Sequence, residues 1–275
     1  MYRATAMNQG SNTAPSVHRE AFTVRSYDLD PRGRVGAGGI CRYLQEAAAQ
    51  HATRLGVATE RLGPLGQTWI LGRLRWRLDV PLGRGDRIVV ETWPSGLERL
   101  RALRDFVLRR ADDDAPIGAG TSAWLIVDLA RRRPVRMPAF VAAIRRPERP
   151  RAMSDVEAPG FPEGVEPASA SITVRRSDLD LNEHVNNARY ADWLIESVPD
   201  RIWRERRIAS LDIVFCAEGR AGERLAVDCL EVDTAGDDGG KCVTAHRIRR
   251  PDDGRVLVRA RASWTASDDA PFRTP

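Results

Sequence analysis

The chain carries one segment twice, and this duplication constrains its fold more than any other feature. Residues 22–46 align without a gap on residues 172–196, a shift of 150, and nine of the 25 aligned positions are identical. A second block matches at a shift of 137, where Gly85-Asp86-Arg87 aligns with Gly222-Glu223-Arg224. Two collinear blocks predict two copies of one domain of about 110 to 130 residues each, the usual size for a single hydrophobic core.

The two copies differ where reactive side chains would lie. Asp180 keeps its aspartate in the first copy, as Asp30. The other polar residues of the second copy are replaced in the first. Asn182 aligns with Arg32, His184 with Arg34, Asn186-Asn187 with Gly36-Ala37, and Glu218 with Pro81. If the chain has one active site, we therefore expect residues of the C-terminal copy to form it.

The segment from Asp178 to Tyr190 is the most informative stretch for function. A carboxylate, a carboxamide and an imidazole occupy alternate positions, at Asp180, Asn182 and His184. Side chains of an extended segment repeat every two residues, so this spacing predicts that all three point toward one place. Such a group of acid, amide and imidazole is typical of an active site.

The same segment leads into a predicted helix. Asn186-Asn187 supplies N-cap chemistry, and residues 188–203 show a helical pattern. Backbone N–H groups at a helix N-terminus can hold a developing oxyanion. We therefore expect chemistry on a carbonyl group at this point.

The remaining pattern gives the same order of elements in both copies. A helix is predicted over Ile40 to Leu55, ended by Gly56, with one face formed by Ile40, Leu44, Ala47, Ala48, His51 and Leu55. Strands are predicted at 22–27, 69–78, 88–95, 102–110, 122–128, 172–177, 208–216, 224–232, 241–249 and 255–263. One long helix followed by half-buried antiparallel strands predicts an α+β domain in which the sheet wraps the helix.

A proline-rich stretch separates the copies, because residues 129–170 contain seven prolines. The predicted divisions are a disordered N-terminus at 1–19, an N-terminal domain at 20–145, a linker at 146–170, a C-terminal domain at 171–266 and a tail at 267–275. The basic runs in this region are Arg131-Arg132-Arg133 and Arg145-Arg146 with Arg149 and Arg151. They are either a solvated linker or a docking site for an acidic protein or a phosphate-bearing substrate.

Composition limits the function classes further. No run of 18 apolar residues exists, so no membrane span is predicted, and the polar first 18 residues lack the apolar stretch of a signal peptide. Cys41, Cys216, Cys229 and Cys242 show no metal-ligand spacing and are expected to be reduced, which favours a cytoplasmic location. The net charge of +5 comes from arginine, with Lys241 the one lysine, and is weak evidence for nucleic-acid binding.

These features together resemble the hotdog fold, in which an antiparallel sheet curls around a long helix. The pattern Asp-Leu-Asp-x-Asn-x-His-Val-Asn-Asn-x-x-Tyr, ending at Tyr190, is similar to that of the acyl-acyl-carrier-protein thioesterases of plants and bacteria. Six polar positions match at fixed spacing, and the resemblance extends over residues 22–264. It implies two tandem hotdog domains, of which the first binds acyl chains without a catalytic set and the second is catalytic.

The resemblance also implies a reaction and its residues. The family's aspartate, asparagine, histidine and downstream glutamate correspond to Asp180, Asn182, His184 and Glu218. The implied reaction is hydrolysis of fatty acyl-acyl-carrier-protein to free fatty acid and carrier protein, which ends fatty acid synthesis, with no metal or organic cofactor. Plant members commonly have a cysteine after the glutamate, whereas this chain has Gly219, which argues against a cysteine nucleophile.

Several alternatives remain open at this level. Asp180 could simply cap a turn, because Asp30 is kept in the copy that lacks the other groups. The activity could instead be that of an acyl-CoA thioesterase or a dehydratase, and a non-enzymatic acyl-binding or nucleic-acid-binding module is a further class. Acyl chain length, the carboxylate that acts as base, and the choice between monomer and homodimer do not follow from spacing.

Overall fold

Eleven strands and five helices build the part of the chain that the computed structural model describes, residues 16–232 and 242–267. The strands are β1 (His18–Thr23), β2 (Gln67–Leu78), β3 (Arg87–Glu98), β4 (Arg101–Arg110), β5 (Pro116–Asp128), β6 (Arg133–Val135), β7 (Ala168–Thr173), β8 (Arg206–Phe215), β9 (Arg224–Val232), β10 (Cys242–Arg249) and β11 (Val256–Ala266). The helices are α1 (Ala37–Arg54), α2 (Thr59–Leu62), α3 (Ala139–Ala142), α4 (Asn187–Trp193) and α5 (Asp200–Glu205). Each predicted strand overlaps an observed one, with Lys241 outside the described residues.

The strands form one continuous antiparallel sheet whose order shows the duplication directly. The order runs β1-β3-β4-β5-β2 through the N-terminal half and continues β8-β11-β10-β9-β7 through the C-terminal half, with β6 on the side of β5. Equivalent strands therefore occur in mirrored positions on either side of the β2–β8 junction. The prediction of two copies of one antiparallel domain is confirmed.

The β2–β8 junction is the centre of a pseudo-twofold arrangement. Leu74 pairs with Ile213 and Trp76 pairs with Leu211, and these four positions are exchanged by the sequence shift of 137. The axis therefore passes beside Arg75 and Asp212, which face each other. Their side chains form an ion pair at 3.4 Å. One chain thus makes the strand pairing that two separate single-domain copies would make as a dimer.

The N-terminal helix forms as its sequence predicts. Ile40, Leu44, Ala47 and Ala48 of α1 are buried, and the helix ends at Gly56, whose φ of +67° suits glycine. The Gly56 N–H donates to Thr53 and the Val57 N–H to Ala52. These are the two bonds of a Schellman motif, so the last carbonyls of α1 are satisfied.

The long helix predicted over residues 188–203 is wrong in extent. The α4 helix ends at Trp193, a 3₁₀ turn covers Leu194–Ser197, and α5 starts only at Asp200. Val198 has an extended backbone, with φ −70° and ψ 130°. Pro199 explains the break, because the residue before a proline is disfavoured in the helical region.

The connector between the domains is mostly exposed, but some of its residues bind the outer face of the sheet. Arg149 pairs with the buried Glu91 at 2.7 Å, and Arg151 pairs with the fully buried Asp105 at 2.9 Å. The Ala152 N–H also donates to Asp105, at 2.8 Å. These contacts argue against a docking role for the two arginines, because the carboxylates that they bind belong to the same chain, whereas Arg149 is exposed, as a solvated linker predicts.

The ends of the predicted divisions shift in the structure. The β1 strand starts at His18, inside the segment predicted as disordered, and β7 starts at Ala168, inside the predicted linker. Residues 1–15 and 268–275, which carry the rest of the predicted disordered start and tail, lie outside the described residues. Within residues 16–232 and 242–267 no helix is long and apolar enough to cross a bilayer.

Candidate active site

Asp180 organises a tight turn at the end of the 3₁₀ turn Arg176–Asp178. Its backbone N–H donates to the His184 carbonyl at 2.8 Å, and its Oδ1 accepts from the backbone N–H groups of Asn182 at 2.8 Å and His184 at 3.4 Å. Glu183 closes the turn with φ +60°. The prediction of an extended segment over Asp180, Asn182 and His184 is therefore wrong, because the carboxylate binds the backbone and bends it.

The N-terminal half repeats this turn in detail. Asp30 Oδ1 accepts from the N–H groups of Arg32 at 2.8 Å and Arg34 at 3.1 Å, and the Asp30 N–H donates to the Arg34 carbonyl. Gly33, with φ +76°, takes the position of Glu183. The turn-capping contact of the aspartate therefore belongs to the fold and occurs with or without the neighbouring imidazole.

His184 and Glu218 meet although they lie in separate stretches of the sequence. His184 Nε2 is 3.1 Å from Glu218 Oε2, and the two side chains are 27% and 43% exposed. Glu218 follows β8, and the Val185 N–H donates to the Gly219 carbonyl at 3.0 Å, which ties the two loops together. An imidazole within ion-pair distance of a carboxylate in a partly exposed position can accept, hold and return a proton.

Asn182 lies apart from this pair. Asn182 is exposed, and its backbone N–H donates to Asp180 Oδ1. Within the described parts of the chain its carboxamide makes no hydrogen bond. Of the four predicted residues, the structure thus joins His184 to Glu218 through side chains and Asp180 to both His184 and Asn182 through the backbone.

Gly219 lies in a confined position beside this pair. Its N–H donates to the Tyr190 hydroxyl at 2.8 Å, and burial raises the pKa of that hydroxyl well above its usual range. A Cβ added at Gly219 would lie 2.9 Å from the Tyr190 oxygen and 3.1 Å from Val185. A residue with a side chain would therefore require this packing to shift.

The start of α4 follows immediately. Asn186 is the N-cap, as predicted, and its Oδ1 accepts from the Ala188 N–H at 2.9 Å. Asn187 reaches across to the other half, where its Nδ2 donates to Gln45 Oε1 on α1 at 3.3 Å. Sequence reasoning missed Gln45. The sequence did contain a signal, because Gln45 aligns with Ile195 and the polar side chain is therefore present in only one copy.

A cavity of about 230 Å³ opens beside α1 in the N-terminal half. Its lining is mostly apolar and includes Ala48, Ala49, Ala52, Val57, Trp69, Leu103, Trp124, Val141 and Ile144, with Gln45 also in its wall. Arg104 is the buried cation of the lining, and burial lowers the pKa of its guanidinium to about 10. Its Nη1 donates to His51 Nδ1 at 2.9 Å and to Thr92 Oγ1 at 3.2 Å.

Family models match almost the whole described chain. The model of the acyl-ACP thioesterase N-terminal domain matches residues 15–144, and the model of the acyl-ACP thioesterase C-terminal domain matches residues 164–266. The chain belongs to the acyl-ACP thioesterase family. The family resemblance carried by the motif and the duplication is therefore confirmed.

Relatives and solved structures agree with this assignment. The chain is 24% identical to a chloroplastic palmitoyl-acyl carrier protein thioesterase of Arabidopsis thaliana, over 91% of this chain and 64% of the relative. It is 26% identical to a chloroplastic dodecanoyl-[acyl-carrier-protein] hydrolase of Cinnamomum camphora, over 94% of this chain and 70% of the relative. The crystal structure of a putative oleoyl thioesterase from Lactobacillus plantarum superposes with a TM-score of 0.82 at 22% identity, over 94% of this chain and 99% of that one. The predicted α+β fold of two tandem hotdog domains is confirmed.

Proposed function

We propose that this chain is a thioester hydrolase that cleaves fatty acyl-acyl-carrier-protein to free fatty acid and carrier protein, ending fatty acid synthesis. The observation that carries the proposal is the contact between His184 Nε2 and Glu218 Oε2 at 3.1 Å. It supports the proposal because it joins two residues that the family motif marks as catalytic. The N-terminal copy has Arg34 and Pro81 at the same positions and has no such pair.

The proposed mechanism uses water and this pair. The oxygen of a water molecule attacks the thioester carbonyl carbon while its proton passes to the Glu218–His184 pair. The C–S bond then breaks, the pair returns the proton to the departing sulfur, and the free acid and the thiol leave. A thioester is reactive enough toward water with a positioned base that no step needs a metal ion or an organic cofactor.

Asp180 and Asn182 have supporting roles in this proposal. Asp180 Oδ1 is occupied by two backbone N–H groups, so Asp180 holds the turn that presents His184 rather than taking the proton. The Asn182 carboxamide is exposed and is left to contact the water or the donor. Of the two carboxylates predicted as possible bases, we therefore assign the base to Glu218 in this proposal.

We assign the apolar cavity of the N-terminal half to the acyl chain. Its alanine-lined wall along α1 and its tryptophans offer hydrocarbon contacts, and Gln45 in that wall also bonds to Asn187 beside the proposed site. Burying a methylene group contributes about 0.8 kcal/mol, so the depth of this cavity would select chain length. The N-terminal domain is then the acyl-binding domain and the C-terminal domain the catalytic one.

The proposed partner is the acyl carrier protein with its chain on a phosphopantetheine arm. The net charge of +5 suits an acidic carrier, although Arg149 and Arg151 are engaged within the chain. Four free cysteines suit the predicted cytoplasmic location. The internal pairing of the halves fits a monomer and leaves a homodimer as the alternative.

A thiol-release assay tests the function. Donors of eight to eighteen carbons on carrier protein and on CoA are compared at several ionic strengths, with 3-hydroxyacyl donors as a further set. We expect thiol release from saturated acyl-carrier-protein at a higher kcat/KM than from acyl-CoA. Equal rates at low salt would indicate an acyl-CoA thioesterase. Reaction of 3-hydroxyacyl donors without thiol release would indicate a dehydratase, and tight acyl binding without turnover would indicate a binding module.

A further inference from the structure

The N-terminal half contains a cleft that is the pseudo-twofold counterpart of the proposed site. The counterparts of Asp180, Asn182, His184 and Glu218 all line it, and these are Asp30, Arg32, Arg34 and Pro81. Ala37 and Ile195 lie in the same wall. The sequence shift of 150 exchanges Ile195 with Gln45 and Ala37 with Asn187. The pseudo-twofold axis therefore places Gln45 beside the proposed site, as Ile195 is placed beside its counterpart.

Contacts fix the orientation of the Gln45 amide. Its Nε2 donates to the Cys41 carbonyl at 3.2 Å, and its Oε1 accepts from Asn187 Nδ2 at 3.3 Å. A carbonyl only accepts, so the bond to Cys41 determines which amide atom is nitrogen. One N–H of Nε2 remains, and within the described parts of the chain it has no hydrogen-bond acceptor.

Gln45 also lies at a junction between two spaces. Together with Ala49 it lines both the apolar cavity and a groove between β1 and α1 that contains Asn186. A thioester that reacts at the proposed site with its tail in the cavity passes this junction. In this binding mode we place the thioester carbonyl group, which lies between the tail and the sulfur, at Gln45.

The asymmetry between the halves argues against a purely structural role. If the amide were needed only to hold α1 against α4, its counterpart would face the same demand. Yet Ile195 and Ala37 occupy the equivalent positions without any hydrogen-bonding side chain. The amide pair is present only on the side that also carries His184 and Glu218.

We propose that Gln45 is a catalytic residue that the N-terminal half contributes to the site, its remaining Nε2 hydrogen donating to the thioester carbonyl oxygen. This inference rests on the proposed hydrolase function. Negative charge builds up on that oxygen as water attacks, so the hydrogen bond strengthens in the transition state and raises kcat more than it lowers KM.

Two variants of Gln45 separate this role from the contact with Asn187. Gln45→Leu removes the whole amide with little change in volume, and Gln45→Glu keeps an acceptor for Asn187 but removes the donor. We expect both to lower kcat by about 10²-fold and to raise KM by a smaller factor, with the melting temperature nearly unchanged. Ile195→Leu, at the counterpart position, is the matched control and should leave kcat within about twofold. Wild-type turnover in Gln45→Glu would overturn the proposal.

An inhibitor pair tests the same contact without turnover. One analogue of the acyl donor replaces the sulfur with CH₂ and keeps the carbonyl, and the other is a thioether without the carbonyl. The wild-type chain should bind the ketone more tightly, and Gln45→Leu should lose that preference. An equal affinity of the wild type for both analogues would refute the role of Gln45. If the wild type hydrolyses no donor at all, the proposed function fails instead, and the binding preference still reports on Gln45.

Discussion

The two halves of this molecule share a backbone and differ in what they place on it. Both have the same strand order, both have an aspartate that caps a turn through two backbone N–H groups, and both start their main helix at positions 150 residues apart. Only the C-terminal half adds His184 and Glu218. The comparison separates what the fold requires, which is present twice, from what the proposed chemistry requires, which is present once.

The first half has Arg32 and Arg34 at the positions of Asn182 and His184, and these arginines serve structure. Arg32 pairs with Asp30 at 2.8 Å and lies 3.7 Å from the centre of the Trp203 ring. Arg34 donates to Ser267 at 2.7 Å. The contacts with Trp203 and Ser267 both reach the C-terminal half, so the counterpart of the proposed site is part of the interface between the halves.

The halves also differ in the size of the side chains in their interiors. At the shift of 150, the cavity-lining Ala48 and Ala52 correspond to Val198 and Ile202, which are both buried. Small side chains line a cavity in one half, and the larger side chains aligned with them are buried in the other.

The largest expected effect comes from removing the imidazole of His184, which has no counterpart in the N-terminal half. His184→Ala should lower kcat by about 10²- to 10⁴-fold, because it removes the proposed proton carrier, while the melting temperature stays nearly unchanged. Steady-state kinetics with an acyl-carrier-protein donor measures this. Arg34→Ala, at the counterpart position, should cost stability rather than turnover. A similar loss of kcat in both variants would mean that neither position is specifically catalytic.

Copying the C-terminal core into the N-terminal cavity is the second test. Ala52→Ile introduces the residue found at position 202 and should exclude the far end of long acyl chains. We expect kcat/KM for the longest accepted donor to fall about tenfold or more, since each methylene is worth about 1–3 kcal/mol in such a pocket. Product profiling over the donor series measures it. An unchanged profile would show that the acyl chain binds elsewhere.

The two turn-capping aspartates give a smaller and paired effect. Asp30→Ala and Asp180→Ala each leave two backbone N–H groups without their acceptor, at a cost of about 1–2 kcal/mol in the free energy of unfolding. Denaturant unfolding measures both. Asp180→Ala should in addition lower kcat, because the turn presents His184. If Asp180→Ala lost activity with full stability, the carboxylate would act directly on the substrate.

The smallest effect concerns a histidine in the C-terminal core. His246 is fully buried, and burial lowers its pKa to about 3. Its counterpart in the N-terminal half is Phe106, because Phe106 has the same place in the pairing of β4 with β3 that His246 has in the pairing of β10 with β9. In the unfolded chain the same histidine has a pKa of about 6.5. The unfolded state therefore binds the extra proton first as pH falls, and stability is lost from about pH 6.5 downward toward pH 3.

Between pH 7 and pH 6 this loss stays below about 1 kcal/mol. The variant His246→Phe copies the N-terminal residue and should flatten the dependence of the unfolding free energy on pH in this range. Denaturant titrations at several pH values compare the two proteins. The same slope in wild type and variant would assign the pH dependence to other groups.

Local patterns allowed much of the fold to be predicted. The helix over residues 40–55 and its end at Gly56 follow from an apolar face and a glycine, which are properties of consecutive residues. The extent of the second helix was missed, although Pro199 is visible in the sequence, because a helical pattern of apolar residues continues past it. The alternation of Asp180, Asn182 and His184 predicted an extended segment, since the spacing alone does not show that the carboxylate binds its own backbone.

The duplication, the family and the identity of the candidate residues were all determined by the sequence, because each depends on residue type at fixed spacing along the chain. Tertiary structure alone brought Glu218 to 3.1 Å from His184, placed Gln45 of the first half against Asn187 of the second, and bound Arg149 and Arg151 to buried carboxylates. These contacts join residues far apart in the chain. Their distances are set by how the sheet and the two helices pack, and spacing along a sequence carries no record of that packing.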